Sequence, residues 1–213
     1  MLRASLACGV RALEHANAHL DIAQAERAVD ALVGCRGRRF VTGVGKSGHA
    51  AQRMAASLTS IGLQSTWVHG TEWAHGEHGG VGEMDLIACV SHSGKTAELL
   101  DLCEALDARG LLANSEVTLM ALTGNPASPL SERADIALTC AVPADAELLG
   151  VLPTASVLAA HHVFNAVLAG CAESRGLTRR DIALHHPGGS IGRRLVPEAS
   201  GRAPRPGVHG DVR

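Results

Sequence analysis

Hydrophobic and polar positions along the chain follow two periods, one typical of helices and one typical of strands. Over residues 3–33 the apolar positions recur at helical spacing, and a polar interruption from His15 to His19 divides them into two predicted helices. Farther along, short apolar runs bounded by turn-forming residues predict five strands. These runs are residues 39–42, 64–68, 85–90, 117–122 and 136–139.

Two of the predicted strands begin the same kind of unit, in which a glycine-containing turn and then a helix follow the strand. Residues 39–61 form the first unit and residues 85–106 the second. Between them, residues 69–82 are rich in glycine and histidine and too polar for a core, so we predict a loop there. Two such units in series predict a parallel sheet flanked by helices, which is an α/β fold.

A further long helix is predicted over residues 154–171, where small and apolar side chains surround the helix axis on nearly all sides. That pattern is typical of burial inside the domain or at a subunit contact, and we favour the contact. Pro, Gly and Arg dominate after residue 195, so residues 197–213 are predicted to be a disordered tail. Residues 1–196 suffice for one α/β domain and are too few for two.

Composition and charge exclude several classes of partner. The net charge is -2 and the basic residues are scattered, so we expect no nucleic-acid partner. We find no apolar stretch of the ~18 residues that a membrane span needs, and therefore expect no membrane association. The six cysteines lie far apart with no C-x-x-C pair, and no secretory signal precedes them. Both features are typical of reduced thiols in a cytoplasmic protein.

The turn of the first unit, Gly43-Val-Gly-Lys-Ser-Gly48, has the glycine spacing of a dinucleotide-binding fingerprint. That fingerprint also requires an acidic residue at the end of the next strand, and residues 63–70 contain no Asp or Glu. We therefore expect no nicotinamide cofactor. Both turns also resemble the end of a P-loop, but Phe40 and Cys89 stand where the opening glycines should be, so a P-loop nucleotidase fits poorly.

The two turns share an arrangement that suits a phosphate group. Each carries Ser or Thr hydroxyls and free backbone N–H groups at the N-terminus of a helix, where a phosphate monoester binds well. Either turn alone would be read as an ordinary helix cap. Two of them in parallel units, one with three hydroxyls among residues 91–96, favour an anion site.

Five motifs taken together are more specific than any one of them. They are Gly43-Val-Gly-Lys-Ser-Gly-His49, Ala74-His-Gly-Glu77, Ser91-x-Ser93-Gly-x-Thr96, Leu149-Gly-Val-Leu-Pro-Thr154 and His186-Pro-Gly-Gly-Ser-Ile-Gly-Arg193. In order and spacing, from about residue 5 to 196, they resemble the sugar isomerase (SIS) family and, within it, the arabinose-5-phosphate isomerases. The resemblance implies a three-layer α/β/α fold, a homo-oligomer that is usually a tetramer, and interconversion of D-ribulose 5-phosphate and D-arabinose 5-phosphate. The product would supply synthesis of Kdo, a sugar of bacterial lipopolysaccharide.

The resemblance also implies the roles of individual residues. Substrate contacts would come from Gly45, Ser47, His75, Ser91, His92, Ser93 and Thr96. Lys46 would stabilise charge on an enediolate or assist ring opening, Glu98 would be the carbon base, and His186 would carry protons to the sugar oxygens. A further acidic role falls on Asp145, which is one methylene shorter than the usual Glu. Glu147 is the alternative for that role.

Two residues of the phosphate loop depart from the family pattern. His92 and Lys95 replace a usual Asn and Glu, which makes the phosphate loop basic.

Isomerisation through an enediol needs no metal, so we expect no cofactor and at most an adventitious zinc ion at His75 and His186. The family's C-terminal pair of cystathionine-β-synthase-type regulatory modules is not in this sequence, so we expect no regulation through them. Alternatives are an isomerase of hexulose or heptose phosphates and a non-catalytic sugar-phosphate sensor.

Overall fold

A single parallel sheet forms the centre of the computed structural model, which describes residues 2–114, 116–192 and 194. Its strands are β1 Arg39–Gly43, β2 Ser65–His69, β3 Leu86–Val90, β4 Thr118–Thr123 and β5 Ile136–Thr139. Their order across the sheet is β2-β1-β3-β4-β5, and every neighbouring pair is parallel. The predicted parallel sheet is confirmed, with each strand within about one residue of its expected ends.

Helices cover both faces of the sheet. They are α1 Leu2–His19, α2 Ile22–Gly34, α3 Gly45–Ser60, α4 Ala97–Ala108, α5 Pro129–Arg133, α6 Ala155–Ser174 and α7 Arg179–His185. The core on one face joins α2, α3 and α6 to the sheet, and the core on the other joins α4 to it. The predicted three-layer α/β/α fold is therefore confirmed. The short helices α5 and α7 were not predicted, because each has too few residues to show a helical period.

Strand β3 explains why two cores form on one sheet. All five of its residues are buried. Leu86, Ala88 and Val90 contribute to the core beside α3 and α6, and Ile87 and Cys89 contribute to the core beside α4. A continuous apolar run of this kind is typical of a parallel strand that is covered on both faces.

The α6 helix packs against α1, α2 and α3 within the chain. Eight of its 20 residues are buried, which accounts for part of its apolar surface, and the subunit contact that we favoured stays a prediction. Among the described residues it is the one helix long and apolar enough to span a membrane by length and composition alone. The expectation that no segment reaches this length was wrong. The core helix of a soluble protein meets the same criterion.

Three boundaries differ from expectation. Helix α3 begins at Gly45 rather than near residue 50, so Lys46 and Ser47 lie in its first turn. The predicted loop at 69–82 contains the 3-10 helices Glu72–His75 and Glu77–Gly80. The polar interruption predicted at residues 15–19 is helical, and the break follows it. The predicted tail lies outside the described residues, and the domain boundary at residue 196 stays a prediction.

The order of the strands determines where a ligand can bind. From β1 the chain crosses to β2 on one side of β1 and later places β3 on its other side. The connections therefore leave β1 and β3 in opposite directions, which opens a crevice beyond their carboxyl ends. Ligands of open α/β sheets bind at such a switch point. The turns that follow β1 and β3 are the two hydroxyl-bearing turns of the sequence.

Candidate functional site

The turn after β1 brings the start of α3 against the sheet. Gly45 has a φ of 59°, in the left-handed region that favours glycine. A Cβ on Gly43 would lie 2.9 Å from the Ser47 carbonyl oxygen, and a Cβ on Gly48 would lie 2.8 Å from the Gly43 carbonyl oxygen. Val44, the residue at the N-cap of α3, provides no side-chain hydrogen bond to this helix end. The first-turn N–H groups of α3 are therefore free to meet an anion, with Ser47 beside them.

The turn after β3 is held by its own hydroxyls. Ser91 is buried, and its Oγ shares a hydrogen bond of 2.8 Å with Thr96 Oγ1. The Gly94 N–H donates to Ser91 Oγ at 3.1 Å, and the Lys95 N–H donates to Ser93 Oγ at 3.1 Å. Thr96 precedes α4 without a side-chain hydrogen bond to the helix. Hydroxyls thus surround the N-terminus of α4, whose first N–H groups have no acceptor within the helix.

These two turns meet in the folded chain. Gly43 and Val90, the last residues of β1 and β3, are paired across the sheet. Ser47 and His92 line one narrow cavity together with Ser156 at the start of α6. The two hydroxyl-bearing turns are therefore adjacent at the switch point.

Glu98 lies two residues beyond Thr96 in the first turn of α4, and is partly buried. It lines a cavity of about 180 Å³ with Trp73, His78 and Asp101. The segment containing Trp73 also carries His75, which is exposed and sits at the end of the first 3-10 helix. Glu98 is thus close to the phosphate turn and next to the segment that carries His75.

The segment that carries His75 is anchored to the sheet by a tryptophan. Trp73 is 1% exposed, and its indole N–H donates to Thr42 Oγ1 at 2.8 Å. Thr42 is in β1, immediately before the Gly43 turn. Our expectation that this segment was too polar to contribute to the core was wrong for Trp73, because its indole finds a polar partner inside.

Glu147 is committed to a structural role. Its carboxylate accepts hydrogen bonds from the N–H groups of Thr154, Ala155 and Ser156 at 2.6, 3.0 and 3.1 Å, and from Thr154 Oγ1 at 3.0 Å. Burial alone would raise the pKa of Glu147, but the Ser156 and Thr154 groups that face the carboxylate outweigh burial and lower the pKa. This carboxylate caps α6, which makes it a poor base.

Asp145 lies apart from the phosphate turns. It is exposed in the segment after β5 and lines a groove of about 550 Å³ with Arg11 and Leu158. Of the other sequence-predicted site residues within the described part of the chain, only Glu147 also lines that groove. The single chain therefore does not bring Asp145 into the cavities of Ser47 or Glu98.

His186 lies at the opposite end of the sheet. The preceding residue, His185, contacts the Ser60 carbonyl oxygen through Nδ1 at 3.1 Å, and Ser60 ends α3. Helix α3 starts at the phosphate turn and has 16 residues, so its two ends are about 20 Å apart. The chain does not bring His186 to Lys46 or Glu98. Among the described residues no group of three or more His, Cys, Asp or Glu could hold a metal ion. The adventitious zinc site expected at His75 and His186 stays a prediction.

Sequence reasoning missed the polar residues that support the site from behind. Thr42 and Thr123 are fully buried at or next to the carboxyl ends of β1 and β4, and Ser128 is buried before α5. A polar residue at the end of an otherwise apolar strand was the signal available. The role of such a residue depends on the loop that packs beside it, and the sequence alone does not show which loop that is.

The comparisons with known proteins agree with this geometry. A family model for the SIS domain matches residues 32–170. Arabinose 5-phosphate isomerase KdsD of Pseudomonas aeruginosa PAO1 is 38% identical over 170 residues, 80% of this chain and 50% of that protein. KdsD of Salmonella typhi is 37% identical over 173 residues, 81% of this chain and 51% of that protein. The chain spans about half the length of the curated relatives it matches.

A solved structure is similar over a larger share of its own length. The protein c3406 of Escherichia coli CFT073 in complex with arabinose 5-phosphate superposes with a TM-score of 0.78 and 31% identity, over 87% of this chain and 95% of that one. The matched family region contains both hydroxyl-bearing turns and most of α6. This chain belongs to the SIS-domain family.

Proposed function

We propose that the chain is an aldose–ketose isomerase that interconverts D-ribulose 5-phosphate and D-arabinose 5-phosphate. The observation that carries the proposal is the meeting of two hydroxyl-bearing helix N-termini at the switch point, with Lys46 and Glu98 in the first turns of those same helices. Curated relatives are named arabinose 5-phosphate isomerase, and a similar structure contains arabinose 5-phosphate. These names support the choice of sugar.

The phosphate would be held by the helix ends and their hydroxyls. Ser91, Ser93 and Thr96 contribute hydroxyls around the N-terminus of α4, and Ser47 contributes another at the start of α3. The N–H groups of both first turns add donors that point along the helix axes. A dianionic monoester is favoured at such a place, because each helix presents a partial positive charge.

The chemistry moves a hydrogen between C1 and C2. Glu98 is proposed as the base that removes the proton from one carbon, so that the bonding electrons form an enediolate. Glu98 then returns the proton to the other carbon, and a proton shifts between the two oxygens. Lys46 would stabilise the negative oxygen of the enediolate. Asp145 is the remaining acidic candidate, since Glu147 is occupied as the cap of α6.

The oxygen-to-oxygen proton shift requires a second copy of the chain if His186 performs it. His185, the neighbour of His186, contacts Ser60 at the end of α3 that is about 20 Å from the phosphate turn, so His186 would act in the site of a neighbouring copy. A homo-oligomer, proposed as a tetramer, is supported by exposed apolar side chains on α1, in the segment between β5 and α6, and on α6. They are Leu2, Leu6, Val10, Leu148, Leu149, Val151, Leu152 and Leu158.

We propose that the enzyme works in the cytoplasm and that its product supplies Kdo synthesis.

A panel of sugar phosphates tests the activity. Purified protein incubated with ribulose 5-phosphate should form arabinose 5-phosphate, and hexulose and heptose phosphates should be converted at least about tenfold more slowly. Faster turnover of a hexose or heptose phosphate would replace the proposed sugar. Binding of every sugar phosphate without turnover would make the chain a sensor.

A variant pair tests the base. Glu98→Gln should lower kcat by about 100-fold or more, because it removes the base, while phosphate binding remains. Glu104→Gln is the matched control, since Glu104 is exposed in the same helix and pairs only with Arg133 among the described residues. Unchanged kcat in Glu98→Gln would remove Glu98 from the mechanism.

A further inference from the structure

The rear of the phosphate turn is bound to the segment between β4 and α5. The carbonyl oxygen of His92 accepts hydrogen bonds from Thr123 Oγ1 at 3.1 Å and from the Gly124 N–H at 2.9 Å. The carbonyl oxygen of Gly94 accepts from the Leu130 N–H at 3.2 Å. Two carbonyl groups of the turn therefore point away from the crevice.

Thr123 uses its hydroxyl fully in this arrangement. It is the last residue of β4 and is completely buried. Its single hydroxyl proton goes to the His92 carbonyl, and its oxygen accepts from the Asn125 N–H at 3.2 Å. Valine has the same shape but neither function, so a Thr123→Val substitution would leave both partners without this hydroxyl.

The close approach of the Ser128 side chain to Gly94 adds to the support. Gly94 has a φ of 63°, and a Cβ there would lie 2.0 Å from Ser128 Oγ and 3.1 Å from Thr123 Oγ1. Ser128 is itself fixed, because its Oγ donates to Ser131 Oγ at 3.0 Å, and Ser131 Oγ donates to the Asn125 carbonyl at 3.1 Å. Asn125 thus connects the Thr123 contact to the Ser128 contact in one network.

The direction of the carbonyl groups matters for an anion. A backbone carbonyl carries partial negative charge, and a peptide unit that turned its oxygen towards the crevice would withdraw an N–H and repel a phosphate. We infer that Thr123 is a positioning residue for phosphate binding, which acts by holding the His92 carbonyl away from the anion. This inference rests on the proposed function in one respect, which is that the anion is the phosphate of the substrate.

Three variants test the inference. Thr123→Val removes the hydroxyl and keeps the shape, and Thr123→Ser restores the hydroxyl. Thr139→Val is the matched control, because Thr139 is the register partner of Thr123 on β5 and makes no side-chain hydrogen bond within the described residues. Thermal-shift titration with inorganic phosphate measures anion affinity without any need for turnover. Steady-state kinetics then gives KM and kcat for the sugar phosphate.

Thr123→Val should weaken phosphate binding by about three- to tenfold, which is the effect of losing one typical hydrogen bond. KM should rise by a similar factor with kcat within about twofold, because binding is lost equally in the ground and transition states. Thr123→Ser and Thr139→Val should both behave as the wild type.

The inference is overturned if Thr123→Val binds phosphate as tightly as Thr139→Val, or if kcat falls while KM and phosphate affinity hold. Failure of the isomerase proposal looks different. In that case the wild type and Thr139→Val bind phosphate but convert none of the sugar phosphates, and the affinity ratio between Thr123→Val and Thr139→Val still decides the role of Thr123.

Discussion

Replacing Glu147 by Ala should destabilise the protein while leaving the chemistry in place. The carboxylate accepts hydrogen bonds from three consecutive backbone N–H groups and one hydroxyl at the start of α6. Loss of a helix cap costs about 0.5–2 kcal/mol. Loss of the negative charge at that helix end costs a further ~0.3–1 kcal/mol. We therefore expect a loss of about 2 kcal/mol.

Thermal unfolding gives the corresponding change in Tm. For a chain of this size each kcal/mol corresponds to about 2–4 °C, so the Tm of Glu147→Ala should fall by about 4–8 °C. Glu147→Gln keeps an acceptor oxygen and should lose less than half of that. Asp145→Asn is the matched control, because Asp145 is exposed, two residues away, and should change stability by less than about 0.5 kcal/mol.

The pH dependence has a definite sign. The pKa of Glu147 is lower in the folded state than its usual value, so the stabilisation is present above the unfolded pKa and is lost as the pH falls through the folded pKa. The Tm difference between wild type and Glu147→Gln should be full at pH 7 and shrink below about pH 4.3. A Tm unchanged at pH 7, combined with a fall in kcat of about 100-fold in Glu147→Gln, would refute the capping role and make Glu147 a catalytic acid or base.

Two further predictions follow from the site. Gly94→Ala should abolish measurable phosphate binding or folding, because the left-handed φ costs about 1 kcal/mol or more and the added Cβ collides with Ser128. Gly79→Ala is the control, because its Cβ would meet nothing within 4 Å, and it should leave phosphate binding within about twofold. Equal binding by both variants would contradict the described turn. Glu98→Gln and His186→Asn chains should each be nearly inactive alone. When the two are refolded together, they should recover about a quarter of wild-type activity. Random pairing joins an intact Glu98 to an intact His186 of the neighbouring copy in about one site of four. Activity no higher than that of either variant alone would exclude catalysis across copies.

The local features of the fold were predictable from the sequence. Strands buried on both faces have continuous apolar runs, so β3 was found within one residue. The glycines and hydroxyls of the two turns were also informative in the sequence, because the turn and the helix N-terminus beside Ser47 or Ser91 depend only on residues that are close in the chain. These short-range patterns were enough to predict the α/β class and an anion site.

Other features depend on contacts between residues distant in the chain, and only the tertiary structure decided them. The carboxyl groups of Asp145 and Glu147 look interchangeable in the sequence, but Glu147 caps the start of α6 and Asp145 is exposed. His186 belongs to a specific motif, yet the contact of its neighbour His185 with Ser60 keeps it at the far end of α3. The buried hydroxyl of Thr123 gained a role because the strand order places the His92 turn beside β4. Periodicity and turn chemistry report on a few neighbouring residues, whereas these contacts arise when the sheet brings separate segments together.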